Sequence, residues 1–150
     1  MTEPTLRPAH PGEGHLLSAL ALRSKGYWGY SAEFLESCRE ELAVSEDQLR
    51  DVTVAEVHGD VAGFSLLVLR GERGELHSLF VDLPWIGTGV GAALLRSALG
   101  GARAQGVREV GLDADPGAEA FYARFGAVTV GRSPSGSIPG RTLARMAFRL

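Results

Sequence analysis

Two groups of residues in this 150-residue chain have the types and spacing to do chemistry. The first is Gly87-Thr88-Gly89-Val90-Gly91, which follows a strand-like stretch and opens a helical one. Such a turn gathers unpaired backbone N–H groups and the positive end of a helix dipole at one point, with no Cβ in the way, which suits a phosphate. The other reading is a tight turn that needs glycine for backbone geometry alone. The second group is Glu75 and His77, two apart on the preceding strand, so two side chains able to accept a proton point to one face.

The kind of phosphate can be narrowed. A P-loop places Lys and then Ser or Thr after its last glycine, but here Ala92 and Ala93 follow and no cation reaches a β or γ phosphate. A dinucleotide fingerprint spaces its glycines as G-x-G-x-x-G in the first strand-to-helix unit. Here the glycines alternate and come after several strands, so a nicotinamide enzyme is disfavoured despite Asp113 at a suitable distance.

The elements that must position these groups follow from periodicity. Thr5-Leu6-Arg7-Pro8 reads as an edge strand, since Pro8 cannot donate to a ladder. Helical spacing runs from Gly14 to Leu22 and again from Ala32 to Leu42, the second behind Ser31 as N-cap. Asp51 to Asp82 reads as an antiparallel meander of three strands, turning at His58-Gly59 and at Arg70 to Gly74, with the middle one apolar enough to be buried on both faces. After the glycine turn, Val90, Ala93, Leu94, Ser97 and Ala98 mark one face of a helix to about Gln105, ended by Gly106. Glu109 to Asp113 is then a strand parallel to the third meander strand, because a helix connects them. Ala118, Phe121, Tyr122 and Phe125 form the stripe of a short helix stopped at Gly126, and strands from Val128 and over Leu143 to Phe148 complete the chain.

Composition excludes other classes. A net charge of -3 and 45% hydrophobic residues give no footprint for nucleic acid or an anionic membrane surface. The lone Cys38 forms no internal disulfide and reads as a packed small hydrophobe. Met1-Thr2-Glu3-Pro4 lacks the regions of a signal peptide, so a cytoplasmic protein is expected, folded as one domain over 1–150 and without a metal. An exposed edge strand leaves a homodimer open.

Two motifs carry a family resemblance. Val81 through Gly91 is similar to the GNAT acetyltransferase pattern Val-x-x-x-x-[Arg/Gln]-Gly-x-Gly-[Ile/Val]-Gly, with Ile86 in the Arg/Gln slot, and Asp115 to Gly126 is similar to the family's A-x-x-F-Y-x-x-x-G helix, with Gly117 where many members have Asn. The resemblance spans Leu6 to Leu150. It implies an α/β (α+β) fold, a mixed, mostly antiparallel sheet of six to seven strands flanked by about four helices. It also implies acetyl-coenzyme A as donor, its pyrophosphate on Gly87, Thr88, Gly89, Val90 and Gly91. Leu79, Phe80, Val81, Ile86, Asp115, Ala118 and Tyr122 complete the implied cofactor site, with a backbone N–H near Leu79 or Phe80 polarising the carbonyl.

The implied reaction is direct transfer to a primary amine of a small molecule or peptide in a ternary complex. An amine of pKa about 10 needs a base at neutral pH, and Glu75 or His77, directly or through water, answers that need; the other reading is that Glu75 is an exposed strand residue and His77 a satisfied histidine at the core edge. Tyr122 matches the residue that faces the thioester sulfur, as a hydrogen-bond donor or as part of an aromatic packing stripe. Tyr27, Trp28 and Tyr30 form a wall of an acceptor pocket or plug the sheet edge; Ser135-Gly136-Ser137-Ile138-Pro139-Gly140-Arg141 is a second wall, where Arg141 meets an acceptor carboxylate or a surface acid. The other functional class is a GNAT-fold module that binds acyl-coenzyme A without turnover, a reading motivated by Ile86 and Gly117.

Overall fold

The computed structural model describes residues 3–135 and 139–150. Met1, Thr2 and the Gly136, Ser137 and Ile138 of the second wall lie outside them. The chain forms β1 (Thr5–Pro8), α1 (Gly14–Gly26), α2 (Ala32–Leu42), β2 (Val52–Val57), β3 (Asp60–Arg70), β4 (Arg73–Val81), α3 (Val90–Ala104), β5 (Glu109–Ala114), α4 (Glu119–Arg124), β6 (Val128–Pro134) and β7 (Thr142–Arg149). Single 3-10 segments precede β2, the glycine turn and α4. The strands make one seven-stranded sheet in the order β1-β2-β3-β4-β5-β7-β6.

Local sequence explains most boundaries. Ser31 caps α2 by accepting from the Phe34 N–H at 3.1 Å. His58 and Gly59 take positive φ and close the β2–β3 hairpin. Gly106 and Gly126, also at positive φ, terminate α3 and α4. α1 runs four residues beyond the expected Leu22, to Gly26, because Ser24 is buried with Leu17, Leu20 and Ala21 and continues their face. On α3 the inward stripe is Val90, Leu94, Leu95 and Ala102. Ser97, expected on that face, is exposed, since the stripe drifts toward Leu95.

Apolar layers lie on both sides of the sheet. Leu17, Leu20 and Ala21 of α1 pack with Val54, Phe64 and Leu66, and α2 buries Cys38 completely. On the other face, Leu95 and Tyr122 pack with Val110, Leu112, Met146 and Phe148, while Val90 and Leu94 pack with Ala55 and Val57. Burial of β3 from Ala62 to Leu66 is continuous, as its apolar run requires.

One irregularity shapes the molecule. β4 and β5 run parallel and pair only at Arg73↔Glu109, Gly74↔Val110 and Glu75↔Gly111. Beyond Glu75 the two strands separate, although β4 continues to Val81 and β5, paired with β7 throughout, continues to Ala114. Next to the parting point, β4 carries a bulge against β3: Leu67 faces Leu76, Leu66 faces Ser78, and His77 is the extra residue. A bulge bends and twists its strand, which turns β4 away from β5. The sheet is therefore open along one side of β4.

Candidate active site

The glycine turn sits where β4 ends, at the wide end of this opening. Asp82 starts it: its carboxylate caps the Leu83 N–H at 2.9 Å and pairs with Arg23 of α1 at 2.8 Å, which pins the turn to the layer across the sheet. That pairing, with the backbone bond, holds the Asp82 carboxyl below the usual carboxylate range against the opposing effect of burial. Thr88 is tied back along the turn, its N–H and hydroxyl both donating to the Trp85 carbonyl. Gly87 and Gly89 take φ of 82° and 98°, a region L side chains rarely adopt. Gly89 is the N-cap of α3 and supplies no side-chain cap, and the first helical bond is Ala93 N–H to the Gly89 carbonyl at 3.0 Å. The N–H groups of Val90, Gly91 and Ala92 thus have no carbonyl four residues back, and they point out of the helix end. Val90, almost fully buried, anchors the helix beneath them. Ile86 is half-buried and offers no charge.

The strand edge leading from this turn is apolar on both sides. Phe80 stacks at 5.9 Å on Phe64, while Leu79 and Val81 face α3. Side chains are therefore committed to the two cores, and what β4 presents to the opening is its unpaired backbone.

At the narrow end, Glu75 and His77 line one open cavity of about 490 Å³, together with Gly111, Arg145, Val68 and Val130. The expected common face holds. Their environments differ. Arg145 of β7 grips both Glu75 oxygens at 2.6 and 2.7 Å and reaches Asp113 at 3.3 Å. Gly111 makes room for this, since a Cβ there would collide with the Arg145 guanidinium. His77 is exposed, and no described residue hydrogen-bonds its ring.

Tyr122 is 8% exposed, with its ring against Phe121 and Phe148. Burial, and then the nearby Asp115 charge, pushes its phenol well above the usual range, so the hydroxyl stays protonated and acts as a donor. No described residue hydrogen-bonds that hydroxyl.

Asp115, directly after β5, is the hub of a second cluster. It accepts from Lys25 Nζ at 2.9 Å, the Tyr30 hydroxyl at 2.7 Å and the Gly117 N–H at 3.3 Å. Burial works against its charge, but Lys25 and Tyr30 outweigh it and hold the carboxyl below the usual range. Arg141 in turn donates to the Tyr30 hydroxyl at 3.2 Å. Of the four acceptor-wall residues, Tyr30 and Arg141 therefore meet, Trp28 lies over Gly117, and Tyr27 leans edge-on against Trp28 at 5.3 Å. Ala118 bonds back to the Asp115 carbonyl at 2.8 Å and fixes the entry to α4.

The Gly117 contact has a testable consequence. A Cβ on Gly117 would sit 3.0 Å from the Trp28 indole, which occupies the space beside this turn. Gly117→Asn is expected to push the half-exposed Trp28 off this turn and cost roughly 1 kcal/mol. Indole fluorescence in a Trp85→Phe background, with denaturant titration, measures both; an unchanged spectrum would sink the account.

Sequence reasoning missed Arg145, Asp113, Lys25 and Phe34. Arg145 did leave a signal, as a lone cation inside the alternating strand Leu143 to Phe148, but its partner depends on a register that no local pattern encodes.

Comparison with known proteins fits this geometry. The profile of the acetyltransferase (GNAT) domain matches residues 21–150. The chain belongs to the GNAT acetyltransferase family. Membership makes it an acyltransferase with acetyl-coenzyme A as its donor. Among solved structures it is similar to a GCN5-related N-acetyltransferase from Rhodopseudomonas palustris, with TM-score 0.80 and 24% identity over 100% of this chain and 98% of that one. It is also similar to the PaiA N-acetyltransferase of Thermoplasma acidophilum in complex with coenzyme A, with TM-score 0.79 and 22% identity over 99% of both chains. A third likeness is to N-acetylglutamate synthase of Neisseria gonorrhoeae, complexed with coenzyme A and N-acetyl-glutamate, with TM-score 0.73 and 21% identity; it covers all of this chain and 36% of that longer one. No curated protein matches the sequence. At these identities the solved structures establish the fold of this GNAT domain. No helix among the described residues is long and apolar enough to cross a membrane.

Proposed function

We propose that residues 1–150 act as one N-acetyltransferase domain that moves an acetyl group from acetyl-coenzyme A directly to a primary amine. The observation that carries this reading is the opened β4 edge, with unpaired N–H groups at one end and an unpartnered proton acceptor at the other. The donor supplies a thioester-activated acetyl group. The Val90, Gly91 and Ala92 N–H groups would hold its pyrophosphate, and the β4 backbone beyond Glu75 would bind its arm and polarise the carbonyl. With Ile86 in place of a basic or amide side chain, anchoring rests on the backbone.

His77 takes the role of base, accepting the ammonium proton directly or through one water. Supporting this, its imidazole is exposed at the bulge, beside the last β4–β5 pair. Glu75, with both oxygens on Arg145, positions the cavity wall, because taking a proton would break a bidentate ion pair. Tyr122 donates a hydrogen bond to the departing sulfur from a buried hydroxyl whose pKa burial raises. The amine approaches past the cluster of Tyr30 and Arg141, and the reaction takes place in solution in the cytoplasm.

Thiol release from acetyl-coenzyme A across an amine panel tests the reading. Tyr122→Phe is expected to lower kcat about 10–100-fold while the KM for acetyl-coenzyme A moves less than about 3-fold, because the lost hydrogen bond strengthens only as charge develops on sulfur. A folded protein that binds coenzyme A tightly and releases no thiol with any amine would replace catalysis with the acyl-coenzyme A sensor reading.

A further inference from the structure

The part-buried guanidinium groups of this protein have counter-charges, with one exception. Arg7 pairs with Glu13 and Glu56, and Arg145 with Glu75 and Asp113. Arg141, half-buried just before β7, has no carboxylate partner among the described residues, and the remaining residues Met1, Thr2, Gly136, Ser137 and Ile138 contain no acidic side chain. Asp115 is the nearest acid in its network, but its oxygens are taken by Lys25 and by the Tyr30 hydroxyl that lies between them.

What Arg141 has instead is a platform. Its guanidinium carbon stands 5.0 Å from the Phe34 ring centre and 5.6 Å from that of Tyr30, and one nitrogen donates to the Tyr30 oxygen at 3.2 Å. Ring contacts favour the cation without using the in-plane N–H fork, and among the described residues the fork's one hydrogen-bond partner is the Tyr30 hydroxyl. A planar fork fixed on a ring, partly desolvated and lacking a counter-ion, fits two coplanar anionic oxygens. The cluster also borders the reacting region: Asp115 follows β5 directly, and Gly117 and Ala118, which both donate to it, lead into α4 and Tyr122.

We propose that Arg141, held on Phe34 and Tyr30, receives a carboxylate of the acceptor, so that the acceptor is a small amino acid carrying both a primary amine and a carboxylate. This rests on the N-acetyltransfer reading and names its substrate class. Lys25 and Asp115 are positioning residues in it, since they set Tyr30 and through Tyr30 the fork.

The test pairs amino acids with their decarboxylated amines and their carboxamides, using wild type, Arg141→Met and Arg141→Lys. Thiol release gives kinetics; calorimetry on protein saturated with coenzyme A gives binding of N-acetyl amino acids against their amides. Wild type is expected to favour the carboxylate members by about 100-fold in kcat/KM, short of the roughly 10⁴–10⁵ of a fully buried polar site because the Arg141 fork is only partly desolvated. Arg141→Met should erase that preference through KM, leave kcat within about 3-fold, and leave acetyl-coenzyme A affinity unchanged, while Arg141→Lys restores part of it. Equal loss for charged and uncharged acceptors, or a rise in the acetyl-coenzyme A KM instead, overturns the assignment. If no amine is turned over, binding still decides. Arg141-dependent binding of N-acetyl amino acids over their amides keeps the carboxylate site while the transfer reading fails, and absence of that selectivity overturns it.

Discussion

His77→Ala is expected to lower kcat/KM about 10²–10³-fold near pH 7, within the range that a positioned general base contributes. An acceptor amine of pKa about 10 is roughly 0.1% neutral at that pH, so a transferase without a base depends on that fraction. The variant's rate should therefore climb about tenfold per pH unit toward the acceptor's own pKa, and its deficit against wild type should shrink as it does. Glu75→Gln should behave differently. It leaves Arg145 with Asp113 alone, costs about 1 kcal/mol of stability because the pair is partly solvated, and reduces activity less than about 10-fold without the steep pH dependence. Parallel pH–rate profiles of both variants separate the roles. A steep, pH-rescued loss in Glu75→Gln with a flat His77→Ala profile would transfer the base to Glu75.

That contrast was only half legible in the sequence. Two residues two apart on a strand share a face whatever the rest of the chain does, and the cavity contains both. Which of the two is free depends on Arg145, 70 residues from Glu75, and on Gly111 leaving space for its guanidinium. Neither follows from local periodicity, because the pairing exists only once β5 and β7 are in register. The elements themselves were readable for the opposite reason: caps such as Ser31, stops such as Gly106 and Gly126, and the continuous apolar run of β3 act through neighbours in sequence. The parting of β4 from β5 was not readable, since a bulge at His77 is a mismatch between two strands, not a property of either. Asp115 shows the same division. Its place before the α4 motif was visible, whereas Lys25, 90 residues away, was not.

The glycine turn is where local signal and function coincide, and it sets the second large effect. Gly89→Glu is expected to weaken coenzyme A binding at least about 100-fold by calorimetry. Two causes add. At φ 98° and ψ 0° any side chain carries left-handed strain of roughly 1–2 kcal/mol, and relaxing it rotates the peptide planes on either side, which turns the Val90 N–H away from its target. A carboxylate at the N-terminus of α3 also occupies the electrostatic position meant for a phosphate, attracted by the same unpaired N–H groups. Gly91 supplies the control. It lies inside the helix, and a Cβ there would meet Val81 at 3.4 Å and Phe121 at 3.6 Å, ordinary contacts directed into the protein. Gly91→Ala should therefore change affinity less than about 5-fold and keep the fold, although it alters the same motif. If Gly91→Ala is as damaging as Gly89→Glu, the ligand approaches the helix from the side of Val81 and Phe121, and the backbone cradle built on Val90, Gly91 and Ala92 is wrong. If both variants bind coenzyme A normally, the turn holds backbone geometry alone and anchoring must come from the β4 edge.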